Sequence, residues 1–597
     1  MTVDVVFETS FEICNKVGGI HTVISSKASF ASHAFSEYIL IGPTFPGKVS
    51  QELVEEKDAP AHWKAPLARL ASRGIKTIVG RWLIPGEPRV ILIDFSAAFS
   101  QKDDFKRQLW EKFGVDSLHA GFDFDEPLAF SLAAGMLIQE FAYDANPAFS
   151  GKRIISQTHE WMTGFANLYL KLQHVPVKTV FTTHATMLGR AIAGAGIDVY
   201  QAIKKIDPYE AAKTHGVIEK FTAERACAQQ ADIFTTVSDL TAIEAKALLG
   251  REPDVITQNG LPMQQFPSFE QASIIHAQSK AAINEFYRYY FFPYHKLDVE
   301  NSLSFFVSGR YEFRNKGMDI TIKALGKLNE QLIKEESKRT VVTLFLVPMQ
   351  QWGVKKDLLE SKLFYKSINQ LLTVSEKQMH DALLTNELER PDSSPPPSVA
   401  AVTPVFTQEL RRLVKLFNKP SSIAPFCTHM IGNEADNEII RAFMAAGLQN
   451  RPLDRVKVML YPIYLDGADS LLDLTYYDAI NGCHLGLFAS FYEPWGYTPM
   501  ECAALGVPAV TTTSAGFGQF VVENSKNTRE GIFVLDRLHK SDGDILNEYA
   551  RILSDYVKLT HHERVKHKIA AKLLAEKADW AFLYEAYKHA YELAAAK

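Results

Sequence analysis

An α/β chain of two doubly wound, parallel-sheet domains facing each other across a cleft, the second carrying a helical insertion, is the architecture this sequence predicts. Its 597 residues exceed what one hydrophobic core accommodates, and 47% hydrophobic with 22% charged residues is the balance of a globular chain. Short apolar runs at 3–7, 38–42, 76–79, 89–94, 153–156, 179–183, 231–237 and 254–257 read as strands, several of them ending in glycine-bearing or polar loops ahead of helical pattern. A second set at 302–308, 341–348, 456–461 and 483–490 repeats the alternation beyond a helical, aromatic stretch at 266–301. The first domain is expected over 1–265 and the second over 266–575.

The loops at the strand ends hold the chemistry. After 3–7 come Lys16, Val17, Gly18 and Gly19, ahead of a helical pattern at 21–32; paired glycines there let a backbone approach a ligand closely. The run 153–156 leads into QTHEWMTG at 157–164, where Thr163 occupies the place of the second histidine of a zinc-binding H-E-x-x-H and excludes that metalloprotease motif. The run 179–183 continues into HATMLGR, His184 to Arg190, and ITQNGL at 256–261 ends the last strand of this half with a generic Asn-Gly turn. In the second half, 302–308 ends in GRYEFRNKG at 309–317. Arg310 and Lys316, six positions apart on a strand-end loop, suit a polyanion: a guanidinium forks onto phosphate oxygens and an ammonium supplies a compact charge. Most informative is FYEPWGYTPMEC at 491–502. Glu493 falls on a strand-to-helix loop, where open α/β sheets bind ligands, and Glu501 falls eight positions later within a helix read over 498–505, Pro499 being in its first turn. Backbone N–H groups at that helix start, near Thr498, favour an anion, most simply a phosphate.

Composition narrows the function classes. A net charge of −5 gives no reason to expect a nucleic-acid or anionic-membrane partner. The aromatic run YRYYFFPYH at 287–295 lacks the basic excess of a base-stacking surface and is expected to be a packed helix between the domains. Cys14, Cys227, Cys427, Cys483 and Cys502 are scattered without CxxC spacing, as reduced core thiols of a cytoplasmic protein are, not as a zinc site or disulfide frame. No signal-peptide pattern opens the chain, no apolar run reaches 18 residues, and no acidic motif stands out for magnesium. The stretch 350–455 is too long for a plain connection and is expected to project as a helical hairpin, with a Pro/Ser loop at 390–398.

The strings E-P-W-G-Y-T-P-x-E-C at 493–502, G-R-Y-E-F-x-N-K-G at 309–317, T-H-A-T-M-L-G-R at 183–190 and K-V-G-G at 16–19 resemble those of glycogen synthases of the animal and fungal type, retaining nucleotide-sugar glycosyltransferases with two Rossmann-like domains (GT-B type). The resemblance covers nearly the whole chain and is densest at 3–25, 154–190, 302–320 and 456–520. It implies transfer of glucose from UDP-glucose to the non-reducing end of an α-1,4-glucan, glycogen or a malto-oligosaccharide, releasing UDP with neither metal nor pyridoxal phosphate. ADP-glucose as donor, a pyridoxal-phosphate-dependent glucan phosphorylase and a non-catalytic glycan-binding scaffold are the alternatives.

The same resemblance implies roles for single residues. Lys16 with Gly18 and Gly19 lies over the nucleotide phosphates, His184 beside the donor sugar, and Arg190 toward the reacting groups. Arg310 and Lys316 meet the diphosphate, and Tyr476, with Tyr477 as its rival, stacks near the base. Tyr492, Trp495, Gly496 and Thr498 belong to the substrate-binding loop, and Glu501 reaches the nucleotide ribose. Glu493 is the carboxylate beside the transferred sugar, either orienting hydroxyls and stabilising oxocarbenium-like charge or acting as a covalent nucleophile. A last helix, 576–597, crosses back to the first domain, and the insertion contributes to contacts in a homo-oligomer. Regulated members carry an arginine-rich helix that senses glucose 6-phosphate; here the equivalent RVKHKIAAKLLAE at 564–576 has one arginine and no long tail follows Lys597, so strong activation by that sugar phosphate is not expected.

Overall fold

The computed structural model describes residues 3–45, 49–389, 404–525, 527 and 529–597. Nine strands form the first sheet: β1 (Val5–Thr9), β2 (Glu37–Pro43), β3 (Leu53–Glu55), β4 (Lys76–Trp82), β5 (Arg89–Asp94), β6 (Ile154–His159), β7 (Lys178–Thr183), β8 (Ile233–Thr236) and β9 (Val255–Ile256). Their order is β3-β4-β5-β2-β1-β6-β7-β8-β9, parallel except where β4 pairs antiparallel with β3 and β5. The second sheet is wholly parallel and holds β10 (Leu303–Ser308), β11 (Val341–Leu346), β12 (Val456–Tyr461), β13 (Leu485–Leu487), β14 (Ala509–Thr512) and β15 (Ile532–Leu535), in the order β12-β11-β10-β13-β14-β15. Both are the doubly wound sheets expected, with helices covering strands buried on both faces. Strand order reverses between β1 and β6 in one sheet and between β10 and β13 in the other, and ligands of open α/β sheets bind at such switch points.

Two strands depart from their apolar runs. β1 continues past Phe7 into Glu8 and Thr9, both buried, because partners for the carboxylate come from outside the strand. β13 keeps only Leu485–Leu487 of the run 483–490: beyond it the carbonyl of Ala489 accepts the guanidinium of Arg537 in place of a ladder partner.

The aromatic stretch is a helix, Phe269–Phe291, opened by a capping box of Ser268 and Gln271. Its hydroxyls find acceptors in the second half only: Tyr287 on Ser304 (3.0 Å), Tyr289 on the carbonyl of Leu471 (2.5 Å) and Tyr290 on that of Pro425 (2.7 Å). The YRYYF segment therefore packs into the second core, not between domains as the sequence suggested; buried phenols go where acceptors are. The insertion contributes two long helices packed on each other, Lys356–Glu389 and Pro404–Phe417; the Pro/Ser segment 390–398 lies outside the described residues. The last helix, Trp580–Ala596, lies on the first sheet, with Trp580 Nε1 donating to Ser26 Oγ (2.8 Å) and Tyr587 under the ammonium of Lys27.

Candidate active site

The first wall of the cleft is built from the ends of β1, β6 and β7. β6, IISQTH, is buried along its whole length although its last four residues are polar. Ser156 Oγ donates to Asn167 Oδ1 and Gln157 Nε2 to Thr182 Oγ1, and His159 points its ring at Glu8 (Nε2 to Oε1, 2.6 Å). Glu8 also takes Lys27 Nζ on both oxygens (2.6 Å each) and the hydroxyl of Tyr38. Burial pushes the Glu8 carboxyl up, but Lys27 and His159 outweigh it and hold the group well below the usual carboxylate range. The other ring nitrogen of His159, Nδ1, meets His184 Nε2 at 2.9 Å. Glu160, the next residue, adopts φ +63° and turns its carboxylate onto the backbone N–H groups of His184 (2.9 Å) and Ala185 (3.2 Å).

Helix Met187–Gly194 follows, capped by Thr186, and brings Arg190 to the cleft. There Arg190 faces Glu160, Tyr492, Glu312 and Glu493; their charge outweighs the desolvation of the crowded cleft and keeps the guanidinium protonated. In the Lys16 loop, Glu12 accepts the N–H groups of Gly18 (2.7 Å) and His21 (2.9 Å). The start of helix Gly19–Ala34, which in dinucleotide folds receives a phosphate, thus takes an internal carboxylate, and Lys16 stands exposed at the rim.

The second wall comes from the loops after β10 and β13. Asn315 O accepts Phe491 N–H (2.9 Å), joining the two loops, and Gly317, at φ +66°, presses onto Ala489 so closely that a Cβ would fall 1.8 Å from its carbonyl oxygen. Lys316 Nζ meets Glu493 Oε2 at 2.5 Å, each side chain 20% exposed, and Arg310, 56% exposed, pairs with Glu312 at 3.0 Å. Gly496 at φ +106° turns the chain into helix Tyr497–Ala504, whose first amides have no side-chain cap and are free to meet an anion. Glu501 lies within that helix, accepts the hydroxyl of Tyr477 (2.9 Å) and faces Lys16; burial pushes its carboxyl up to about 7. Tyr476 packs beside Tyr477, ring centroids 5.6 Å apart.

Two residues placed in the substrate-binding loop turn inward. Trp495, 4% exposed, is packed against Phe517 and Phe520 and offers a ligand no ring face, since the core claims the indole. Tyr492 is buried with its hydroxyl on Glu244 Oε2 (3.0 Å) across the domain boundary, where Ser238 Oγ also donates to Pro494 O (2.7 Å). Both side chains brace the loop from its buried side.

Several groups around the site carry little sequence signal. Glu224 and Glu244, buried beneath Thr186 and Arg190, accept Thr183 and Met187 N–H, and Thr186, Tyr200 and Tyr492, respectively. Burial pushes Glu160 up to about 7 and Glu224 up to about 8, against an ordinary 4.5. A carboxyl with a raised folded pKa binds its proton more tightly folded than unfolded, so stability is full below about 4.5 and is lost as pH rises through 7 to 8. Glu224→Gln is therefore expected to raise the melting temperature at pH 8.5, by on the order of 1 °C or more, and to change it little at pH 5.5; equal shifts at both pH values would refute the assignment.

A second group lies away from the cleft. On helix His561–Ala575, burial, Lys280 and Arg564 draw Lys568 down to about 8, and His276 and His484 stand nearby. The expectation of a weak glucose 6-phosphate response rests on the cations of one helix; the fold adds Lys280 from helix Phe269–Phe291, while burial draws His276 down to about 4 and leaves it neutral. Among the described residues no cluster of His, Cys, Asp and Glu has metal-holding geometry, and no helix is long and apolar enough to cross a membrane.

Residues 8–597 match the family model described as glycogen synthase. The chain belongs to the glycogen synthase family. It is 34% identical over 593 residues to the liver glycogen [starch] synthase of Mus musculus, covering 98% of this chain and 82% of the relative, and 33% identical over 590 residues to the glycogen [starch] synthase of Neurospora crassa, covering 98% and 83%. In fold it is similar to the catalytic domain of starch synthase IV from Arabidopsis thaliana bound to ADP and acarbose, with a TM-score of 0.53 at 13% identity over 100% of both chains. The expected two-domain GT-B architecture holds. Membership of the animal and fungal type gives the reaction: retaining transfer of glucose from UDP-glucose to an α-1,4-glucan, which needs neither a metal nor pyridoxal phosphate. ADP-glucose, the phosphorylase and the scaffold are thereby set aside.

Proposed function

We propose that glucosyl transfer runs in the gap between the two switch points, with Arg310, Lys316, Lys16 and the amides from Tyr497 onward on the diphosphate, Glu501 toward the nucleoside, and His184, Arg190 and Glu493 around the transferred glucose. The observation that carries this reading is the Lys316–Glu493 contact at 2.5 Å, facing Arg190 from the opposite wall. As the C1–O bond to the β-phosphate breaks, charge grows on phosphate oxygens; one cation at about 4 Å is worth on the order of 4 kcal/mol at an effective dielectric near 20.

The contact also speaks to the open choice of mechanism. A carboxylate bonded to the ammonium that holds the leaving group lies on the leaving-group side of the sugar, where it cannot attack C1 from behind. The acceptor hydroxyl then forms the new C1–O bond on the face the diphosphate leaves, its proton passing to the departing phosphate oxygen, and the anomeric configuration is retained.

Calorimetry with UDP tests the clamp. Arg310→Ala combined with Lys316→Ala is expected to weaken UDP at least about tenfold while leaving maltoheptaose binding unchanged; undiminished UDP affinity would sink the assignment. The exposed Leu363, Leu372, Val414 and Leu416 on the inserted helices support a homo-oligomer, to be checked by sedimentation, and the five buried free thiols suit the reducing cytoplasm.

A further inference from the structure

We infer that His159 is a positioning residue for the transfer: it accepts the Nε2–H of His184, fixing that ring as the tautomer that leaves Nδ1 as an acceptor. The inference rests on the reading that His184 lies beside the transferred glucose, and its geometry is a buried chain of four side chains. Lys27 Nζ sits 2.6 Å from both oxygens of Glu8, Glu8 Oε1 is 2.6 Å from His159 Nε2, and His159 Nδ1 is 2.9 Å from His184 Nε2.

Proton positions follow from the donor inventory. Glu8, ionised by its contact with Lys27, only accepts, so His159 Nε2 must carry hydrogen. Burial keeps His159 neutral, which leaves its Nδ1 a lone pair and requires His184 Nε2 to donate. Lys27 and Glu8 cancel, so the chain ends in an uncharged imidazole. An imidazolium there would repel the positive charge that grows on the glucosyl carbon as the diphosphate departs; the neutral ring does not.

The backbone points the same way. Glu160 holds a left-handed φ of +63°, a strained conformation for a residue other than glycine. That turn lets consecutive side chains grip one residue, His159 the ring of His184 and Glu160 its N–H. Thr163, the position that breaks the zinc motif, accepts the N–H of His159 (2.9 Å) and donates to its carbonyl (2.6 Å), which holds the backbone that carries the ring.

Two substitutions separate hydrogen bonding from packing. In His159→Asn the side-chain oxygen falls near the place of Nδ1 and still accepts from His184, whereas His159→Leu fills the space with no acceptor. With UDP-glucose and maltoheptaose, the leucine variant is expected to lose on the order of thirtyfold or more in kcat, with KM for UDP-glucose within about threefold, and the asparagine variant to recover most of that loss. Native turnover in the leucine variant, or equal loss in both, overturns the inference. Nitrogen-15 histidine spectra of the native protein supply a readout independent of activity and of how the variants fold: both rings are expected as Nε2–H tautomers, and an Nδ1–H signal from His184 overturns the chain of protons. His184→Ala with native kcat would instead overturn the reading of His184 itself, a failure the spectra distinguish from the first.

Discussion

Turnover falls at least about a hundredfold when Glu493 is replaced by glutamine, and the protein remains folded. The carboxylate sits at the mouth of the loop, its backbone pinned by Glu493 N–H on Ser514 O (3.2 Å) and Gly516 N–H on Glu493 O (3.1 Å), so the side-chain change leaves the strand end in place. A hundredfold is about 2.7 kcal/mol, within the roughly 4 kcal/mol that one charge at 4 Å supplies at an effective dielectric near 20. Binding and turnover should part company in this variant. Glutamine no longer neutralises Lys316, whose ammonium is left free for the diphosphate, so UDP binds as tightly as before or more tightly while kcat collapses. Initial rates with UDP-glucose and maltoheptaose, together with UDP calorimetry, check both halves. A kcat within a few-fold of native would remove Glu493 from the site, and a parallel loss of UDP affinity would make it a structural member of the loop.

What the sequence disclosed and what it withheld follow from how each residue acts. Arg310, Lys316 and Glu493 stand out as candidates in the sequence because they stand on strand-end loops, where a charged residue beside an apolar run has few structural reasons to be. The sheets were legible because parallel strands buried on both faces leave continuous apolar runs. Glu8 and Lys27 were not: each reads as one polar residue in an apolar element, at the end of β1 and on helix Gly19–Ala34, and only the fold shows the two 2.6 Å apart with no exposed surface. His159 and Glu160 belong to no motif once Thr163 excludes a zinc site, and their partners lie about 150 and 25 positions away in the chain. Trp495 and Tyr492 are both buried, a motif's aromatics being as useful to a core as to a ligand.

Gly317→Ala is expected to abolish activity and destabilise the protein by more than about 3 kcal/mol. A methyl group at this position would lie 1.8 Å from Ala489 O, 2.3 Å from Ala489 C and 3.1 Å from Ser490 N, all of them backbone atoms. The φ of +66° adds its own penalty for any side chain. Neither partner can yield cheaply. Ala489 lies two residues beyond β13 and its carbonyl already holds the guanidinium of Arg537, while Gly317 caps the helix Met318–Lys334, which packs into the core on one face. The only relief is to lift the 309–317 loop by an ångström or more, which breaks the Asn315 to Phe491 hydrogen bond and separates Lys316 from Glu493. Damage to the fold and damage to the site therefore arrive together, through one backbone contact. Gly194→Ala is the control: no heavy atom lies within 4 Å of its added methyl and the residue closes a helix without positive φ, so its melting temperature and kcat should stay native. Thermal unfolding and UDP calorimetry on both variants decide the matter. A Gly317→Ala protein that melts with the native one and turns over UDP-glucose would mean that the 309–317 loop does not rest on the end of β13, and the joining of the two cation and carboxylate loops would have to be abandoned.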